Sequence, residues 1–209
     1  MYTSAERKAA FDSAPPCMGV LSTPKELRTI NGTLKMAYSP LIESARGELI
    51  LNAATPALEI RMQYETPGKW ISNGGYISGT VRTAWARYSF AATGRSFIYE
   101  AKVTINHGVG AWLAFKTSPD DYGGCVFMLD VQKGQAQLLR MPDMHILDRR
   151  KYVINNGTPY NLMVVSKDKF LELYIDGILI IQCVHYATRE GHFALLVDRA
   201  SAVFESPDA

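Results

Sequence analysis

Between Phe97 and Arg140, apolar and polar residues alternate in four short runs separated by turn formers. In the first run Phe97, Tyr99, Ala101, Val103 and Ile105 alternate with Ile98, Glu100, Lys102 and Thr104, the two-residue period of a strand with one buried face. His107-Gly108-Val109-Gly110 reads as a turn, after which Leu113 and Phe115 point one way and Trp112, Ala114 and Lys116 the other. Ser118-Pro119-Asp120-Asp121 with Gly123-Gly124 supplies a loop. A third strand over Cys125–Val131, a tight connection at Gln132-Lys133-Gly134-Gln135 and a fourth strand over Ala136–Met141 follow. The pattern predicts an antiparallel meander whose second face carries Glu100, Lys102, Trp112, Lys116, Asp130 and Arg140. Its apolar face needs a second layer.

The rest of the chain has the means to build one. Strands are expected near Glu48–Asn52, Ala57–Tyr64, Tyr76–Val81, Ala84–Phe90, Tyr152–Ile154, Tyr160–Ser166, Leu171–Ile175, Leu179–Val184, His192–Val197 and Ala202–Phe204, at the spacing of an all-β sandwich. Asn31-Gly32 and Asp176-Gly177, each between apolar runs, are hairpin turns that use the positive φ glycine tolerates. Helix is confined to the start: Thr3 lies three residues before Glu6 in a capping box, and Pro40–Arg46 reads as one or two turns with proline first. The expected organisation is an extended or helical lead over residues 1–47 and an antiparallel β-sandwich over 48–209.

At 209 residues and 47% hydrophobic, the chain is long enough for one large β domain. A net charge of +2 with no Lys/Arg run interleaved with aromatics argues against nucleic acid as a partner; Arg149-Arg150-Lys151 reads as a solvated cluster. Three cysteines, Cys17, Cys125 and Cys183, make an odd number without CxxC spacing, so neither a disulfide framework nor a zinc site is indicated. His107, His145, His185 and His192 lie in separate segments without ligand spacing. No run is apolar enough to span a bilayer, and residues 1–20 lack the pattern of a signal peptide.

The series F-x-Y-E-A-x-V-T-I, G-A-W-L-A-F, Y-G-G-x-V-F-M-L-D, P-Y-N-L-M-V-V, L-E-L-Y-I-D-G, E-G-H-F-A-L-L-V and A-V-F-E resembles the concanavalin-A-like β-sandwich that follows the catalytic propeller in glycoside hydrolase family 32, the invertases, levanases and inulinases. The N-terminal stretch is similar to the segment that leaves that propeller: Gly19-Val20-Leu21-Ser22-Thr23-Pro24-Lys25-Glu26-Leu27, then Asn31-Gly32-Thr33-Leu34, then Ser39-Pro40-Leu41-Ile42-Glu43-Ser44-Ala45-Arg46. Lys25 stands where the family usually has arginine. The family's catalytic motifs, a Trp-Met-Asn-Asp-Pro-like stretch, Arg-Asp-Pro and Glu-Cys, do not occur in these 209 residues, so the two opposed carboxylates of glycoside hydrolysis are not supplied by that route. The sequence also resembles the levan-binding family 66 carbohydrate-binding modules.

That resemblance implies a non-catalytic module for fructans of the levan or inulin type, with a catalytic β-propeller as partner and an extracellular or cell-surface setting if it is part of a secreted hydrolase. A vicinal diol is matched by a carboxylate that accepts, an Arg or Lys that donates and an aromatic wall. The candidate ligand-binding residues are Glu100, Trp112, Lys116, Asp121, Tyr122, Asp130 and Arg140. No cofactor is expected beyond structural calcium, for which Asp120-Asp121 and Asp143 are the candidate donors. Two other readings stand beside this one. The sandwich is a packing and oligomerisation companion without sugar affinity, in which case Pro24–Arg46 should expose apolar surface, or it is a jelly-roll hydrolase. For the last, the nearest carboxylate pair is Glu172 with Asp176, and no Glu-x-Asp-x-x-Glu strand is present.

Overall fold

Two long strands organise the molecule, and both belong to two layers at once. The computed structural model describes residues 23–58, 67–118, 123–167, 169–185 and 190–209. Its strands are β1 (Lys25–Ile30), β2 (Thr33–Tyr38), β3 (Ala57–Leu58), β4 (Lys69–Ser72), β5 (Tyr76–Thr80), β6 (Trp85–Gly94) and β7 (Phe97–Thr117). They continue with β8 (Gly124–Asp130), β9 (Gln135–Met141), β10 (His145–Lys151), β11 (Pro159–Lys167), β12 (Phe170–Ile175), β13 (Ile178–Val184) and β14 (Gly191–Asp208). A 3₁₀ helix, Pro40–Ala45, has Pro40 in its first turn and Ser39 as its cap. The capping-box stretch at Thr3–Glu6 lies outside the described residues.

In sheet A the order is β1-β2-β13-β12-β11-β7-β14-β5-β4. In sheet B, β3 pairs β6, β6 pairs β14, β14 pairs β7, and β8, β9 and β10 follow from β7. All of these pairings are antiparallel. The first half of β7 lies in sheet A and its second half in sheet B; β14 runs beside it in the reverse sense, from Thr117 opposite His192 to Glu100 opposite Asp208. The core fills the space between. Val103, Ile105, Leu162, Val164, Leu173 and Ile181 of sheet A meet Leu113, Phe115, Phe127, Leu129, Leu138, Leu195 and Val197 of sheet B. Tyr99 ties the layers together: its hydroxyl donates to Ala194 O at 3.1 Å and its ring packs on Phe193 at 5.0 Å. The fold is a concanavalin-A-like antiparallel β-sandwich.

Four expectations are corrected. His107-Gly108-Val109-Gly110 is not a turn between two strands; β7 runs straight through it. Gly108, at φ +113, lets the strand bend against β14, where a Cβ would lie 2.2 Å from Arg199 O. By the same bend, His192–Val197 and Ala202–Phe204 are one strand, broken in hydrophobic pattern only around Arg199, which itself has φ +41. Glu48–Asn52 forms no ladder strand: Leu51 is buried, and Ile50 and Leu51 donate to Ala209 O at 2.6 and 3.1 Å. Tyr152–Ile154 is likewise a connection. Tyr152 N closes onto Gly134 O at 3.0 Å and its ring packs edge-on to Tyr160, so Tyr152 and the buried Ile154 close the end of the core while Val153 points to solvent. The ladder strand there is the more polar β10 just before it.

Both predicted hairpin turns form, with Asn31 and Gly32 at φ 48 and 74 and Asp176 and Gly177 at φ 51 and 74, the paired positive values of a two-residue turn. The β1–β2 hairpin joins the edge of sheet A where Ala37 opposes Ile178 and Tyr38 N donates to Gly177 O at 2.8 Å. Its start is pinned from the side. Glu172, fully buried on β12, accepts from Lys25 Nζ at 2.7 Å, Thr23 Oγ1 at 2.5 Å and Tyr174 OH at 2.7 Å. Tyr174 in turn packs edge-on to Tyr38 at 5.6 Å.

Candidate functional site

The outer face of sheet B is set by parity. Ala111, Leu113 and Phe115 face the core, so Gly110, Trp112, Ala114 and Lys116 face outward from the same strand. Register then fixes the neighbours. Trp85, Asp198, Gly110, Asp130 and Gln135 form one row across five strands, and Arg87, Leu196, Trp112, Met128 and Gln137 form the next. Successive residues in a row are about 4.8 Å apart, the strand spacing.

In the middle of the first row Gly110 leaves a gap. A Cβ there would lie 3.2 Å from Trp112 Nε1 and 2.3 Å from Leu129 O, so the indole edge occupies the room that glycine leaves. Trp112 is 3% exposed, and its Nε1–H finds no hydrogen-bond acceptor among the described residues. Trp85 is half-buried and lies against it, ring centroids 6.3 Å apart and planes tilted by 33°. Carboxylates stand on both sides of the gap. Asp198 is held by Arg199, Nε at 2.9 Å and Nη2 at 3.3 Å. Asp130, only 1% exposed, accepts from Lys133 N at 2.9 Å and Gln137 Nε2 at 3.4 Å and lies 3.4 Å from Lys133 Nζ, so both of its oxygens are engaged in holding the β8–β9 turn. Arg199, over half exposed, has its guanidinium pKa raised first by its hydrogen bond to Asp198, with Asp130 adding across the gap. What reaches the surface is the half-buried Trp85 ring, backed by the enclosed Trp112, beside the Asp198–Arg199 pair, an aromatic wall with an acceptor and a donor that match a sugar's C–H face and adjacent hydroxyls.

Of the residues singled out in the sequence, Trp112 and Asp130 come together here. Lys116 shares the strand face but is enclosed at 1% exposed, with φ 54. Its backbone passes between Gly124 and Gly191, where a Cβ would meet Lys116 atoms at 3.0 and 2.4 Å, and its charge is felt by Cys125 and His185. Arg140 is at the rim, opposite Cys125, and grips Asp143, whose pKa it lowers. Asp120, Asp121 and Tyr122 lie outside the described residues. Asp143 is therefore already engaged, and among the described residues no group of three or more His, Cys, Asp or Glu is arranged to hold a metal ion. Burial pushes the Cys125 thiol up to about 12, so it is no nucleophile at neutral pH. Arg149, Arg150 and Lys151 lie on the edge strand β10, exposed, with Arg150 paired to Asp148.

Glu100 is on the opposite outer face, that of sheet A. It pairs with Arg46 at 2.9 Å; Arg46 also pairs with Glu43 at 2.6 Å and stands 4.0 Å from Asp208. Burial and then Glu100 push Asp208 up to about 6 against the pull of Arg46, and Glu43 adds to the rise. An acid with a higher pKa folded than unfolded favours the fold only while protonated. Stability is therefore lost as pH rises from about 4, the unfolded value, to about 6, and the loss is constant above that. For this partly exposed carboxyl it amounts to about 1 kcal/mol. Asp208→Asn is expected to raise the melting temperature by about 2–4 °C at pH near 8 and leave it unchanged near pH 4. Equal shifts at both pH values in a thermal melt would rule out the ionisation account.

Sequence reasoning missed Trp85, Asp198, Arg199 and Gly110. Trp85 and Arg87 do alternate with Ala86, Tyr88 and Phe90 within the strand expected over Ala84–Phe90. Which strand lay beside them was a matter of long-range pairing, and no local signal carried it.

The two packed antiparallel layers define a β-sandwich of the jelly-roll kind. No family model matches the chain. The chain is similar to the levanase of Bacillus subtilis strain 168, 26% identical over 121 residues, which is 56% of this chain and 18% of the levanase. It thus spans less than a fifth of that enzyme's length. Among solved structures, a family 66 carbohydrate-binding module from Bacillus subtilis aligns with a TM-score of 0.63 at 23% identity, over 68% of this chain and 90% of the module. A Bacillus subtilis protein of unknown function with a galectin-like fold aligns with a TM-score of 0.59 at 12% identity, over 78% of this chain and 96% of that one. Both structural likenesses agree with the jelly-roll sandwich, and the levanase and the family 66 module agree with the resemblance seen in the sequence.

Proposed function

We propose that the chain is a non-catalytic carbohydrate-binding module for fructans of the levan or inulin type, working beside a glycoside hydrolase domain. The observation that carries this is the half-exposed Trp85, stacked on the buried Trp112 and standing beside Asp198 with Arg199 on the outer face of sheet B. Carbohydrate binding is supported by the likeness to a family 66 carbohydrate-binding module, and the fructan class by the likeness to a levanase. The jelly-roll hydrolase reading is disfavoured by geometry. Glu172 has no exposed surface with which to meet a substrate, and Asp176 sits in a turn accepting from Asn161 N at 2.9 Å.

Isothermal titration with levan and inulin oligosaccharides, beside cellulose and xylan fragments, should give saturable heat with a fructan alone and no reducing sugar. Trp85→Ala should weaken that binding at least tenfold, about 1.4 kcal/mol, because it removes the half-exposed ring and leaves the strand in place. Unchanged affinity would remove this face as the site; heat without saturation for every glycan would end the binding reading.

A companion-domain reading has one observation in its favour. Leu27 (65%), Leu34 (62%), Met36 and Leu41 are exposed on the β1–β2 hairpin and the following 3₁₀ helix. Leu27 opposes Met36, and Leu34 opposes Thr29 on the same face, which makes a contiguous apolar patch of the kind another domain covers. Under this reading residues 1–47 are a docking lead rather than part of the ligand site. The two readings separate in the titration, since a companion alone gives no heat.

A further inference from the structure

Outside the tryptophan face, the described residues form a cavity of about 430 Å³ on the outer face of sheet A, within the size range of small-ligand pockets. Its floor is two registered rows. Glu205 opposes Lys102, which opposes Asn161; Asp208 opposes Glu100, which opposes Met163. A register shift in β14 between Glu205 and Asp208, with Ser206 at φ 45, sets the two acids apart, the way bulges re-aim side chains. Arg46 reaches Glu100 and approaches Asp208 from the side.

The charges are matched almost one to one. Lys102 sits 3.1 Å from Glu205 and Arg46 sits 2.9 Å from Glu100. A divalent cation would meet two fixed cations, and an anion would meet three carboxylates. A neutral polyol suits both signs, since each hydroxyl donates to a carboxylate and accepts from the neighbouring ammonium or guanidinium. Rows about 6.6 Å apart, two residues along each strand, the Asn161 side chain and the Met163 thioether complete a lining that can grip one or two sugar rings by polar contact without stacking.

We propose that this cavity is a second saccharide-binding site, on the opposite side of the sandwich from the tryptophan pair, so that one module holds two glycan ends. The inference takes its ligand class from the proposed function but rests on separate residues. Two sites facing away from each other cannot be filled by one short chain; they bridge two, and they raise retention on a polymer by avidity.

The test is titration calorimetry of the full chain with short levan-derived and inulin-derived oligosaccharides. The expected stoichiometry is two per chain, falling to one in Trp85→Ala and to one in either Glu100→Gln or Lys102→Ala, with thermal melts confirming that each variant is folded. One site per chain, lost in Trp85→Ala and untouched by Glu100→Gln and Lys102→Ala, would overturn the second site and leave the tryptophan site standing. One site lost only in the Glu100 and Lys102 variants would keep the cavity as a saccharide site and dismiss the tryptophan face. Absence of binding at any concentration dismisses both.

Discussion

Gly108→Ala is expected to leave the chain largely unfolded, recovered in the insoluble fraction and without a cooperative melt. Gly108 stands where β7 passes from one sheet to the other. Its φ of +113 lies in a region L residues rarely adopt, and a Cβ would sit 2.2 Å from Arg199 O, 2.4 Å from Ala200 Cα and 2.7 Å from Ala200 Cβ. Two of these are backbone atoms of β14, and β14 is hydrogen-bonded on both flanks, to β7 and to β5 or β6. The clash therefore cannot be relieved by turning a side chain; the two strands must separate at the point where both bend. Strain of this kind costs about 1–3 kcal/mol before the overlap is counted, and overpacking adds a similar amount. Gly134→Ala is the useful control, since Gly134 also has positive φ (59) but a Cβ there would meet its nearest atom at 3.7 Å. It should lower stability by only about 1 kcal/mol. Equal solubility and melting for the two variants would mean that the crossing is not the constraint described here.

Lys25→Met should cost about 3–5 kcal/mol, because it leaves the Glu172 carboxylate buried without its cation. In a domain of this size that is roughly 6–20 °C in melting temperature. Lys25 is nearly enclosed and Glu172 wholly so, which puts the pair in the class where removing one partner hurts far more than removing both. Adding Glu172→Gln should recover most of the loss, since glutamine can still accept from Thr23 and Tyr174 without a charge. A double-mutant cycle of thermal melts measures the difference. If Lys25→Met costs less than about 1 kcal/mol, the pair is not what pins the β1–β2 hairpin to sheet A.

The same pair shows where sequence reading stops. Lys25 stood out in the chain as a departure from arginine in a family-like stretch, and Glu172 stood out as a carboxylate spaced four residues from Asp176. Nothing local joined them, because 147 positions separate the two. What was legible was whatever period two and turn chemistry fix on their own: β8, β9, β11, β12, β13, the Asn31-Gly32 and Asp176-Gly177 hairpins, and the proline-started 3₁₀ helix. The meander was half legible. β8 and β9 do follow the second half of β7, but Gly108 and Gly110 looked like a turn because glycine marks both a reversal and a close backbone crossing. The candidate site suffered from the same ambiguity. Trp112 and Asp130 share a face because each alternates correctly within its own strand. Glu100 alternates correctly too, yet its half of β7 belongs to the other sheet, so it looks out on the far side. Trp85 and Asp198 join the site only through the pairing of β14 with β6 and β7.

Because β14 is the last strand along this sequence and an interior strand of both sheets, the order of synthesis matters. As the chain emerges, β7 with β8, β9 and β10, and β11 with β12 and β13, can pair by short loops, while β4, β5 and β6 have no partner for their inner edges. Neither layer closes until translation has passed residue 208. Phe193, Leu195, Val197, Ala202 and Phe204 then enter a half-built interior in one step, a late, non-local event of the kind that makes folding slow and leaves strand edges exposed while nascent. A ribosome-stalled chain ending before residue 190 should consequently be protease-sensitive through most of its length, and a chaperone that shields the inner edges of β5, β6 and β7 would be expected to raise its yield most.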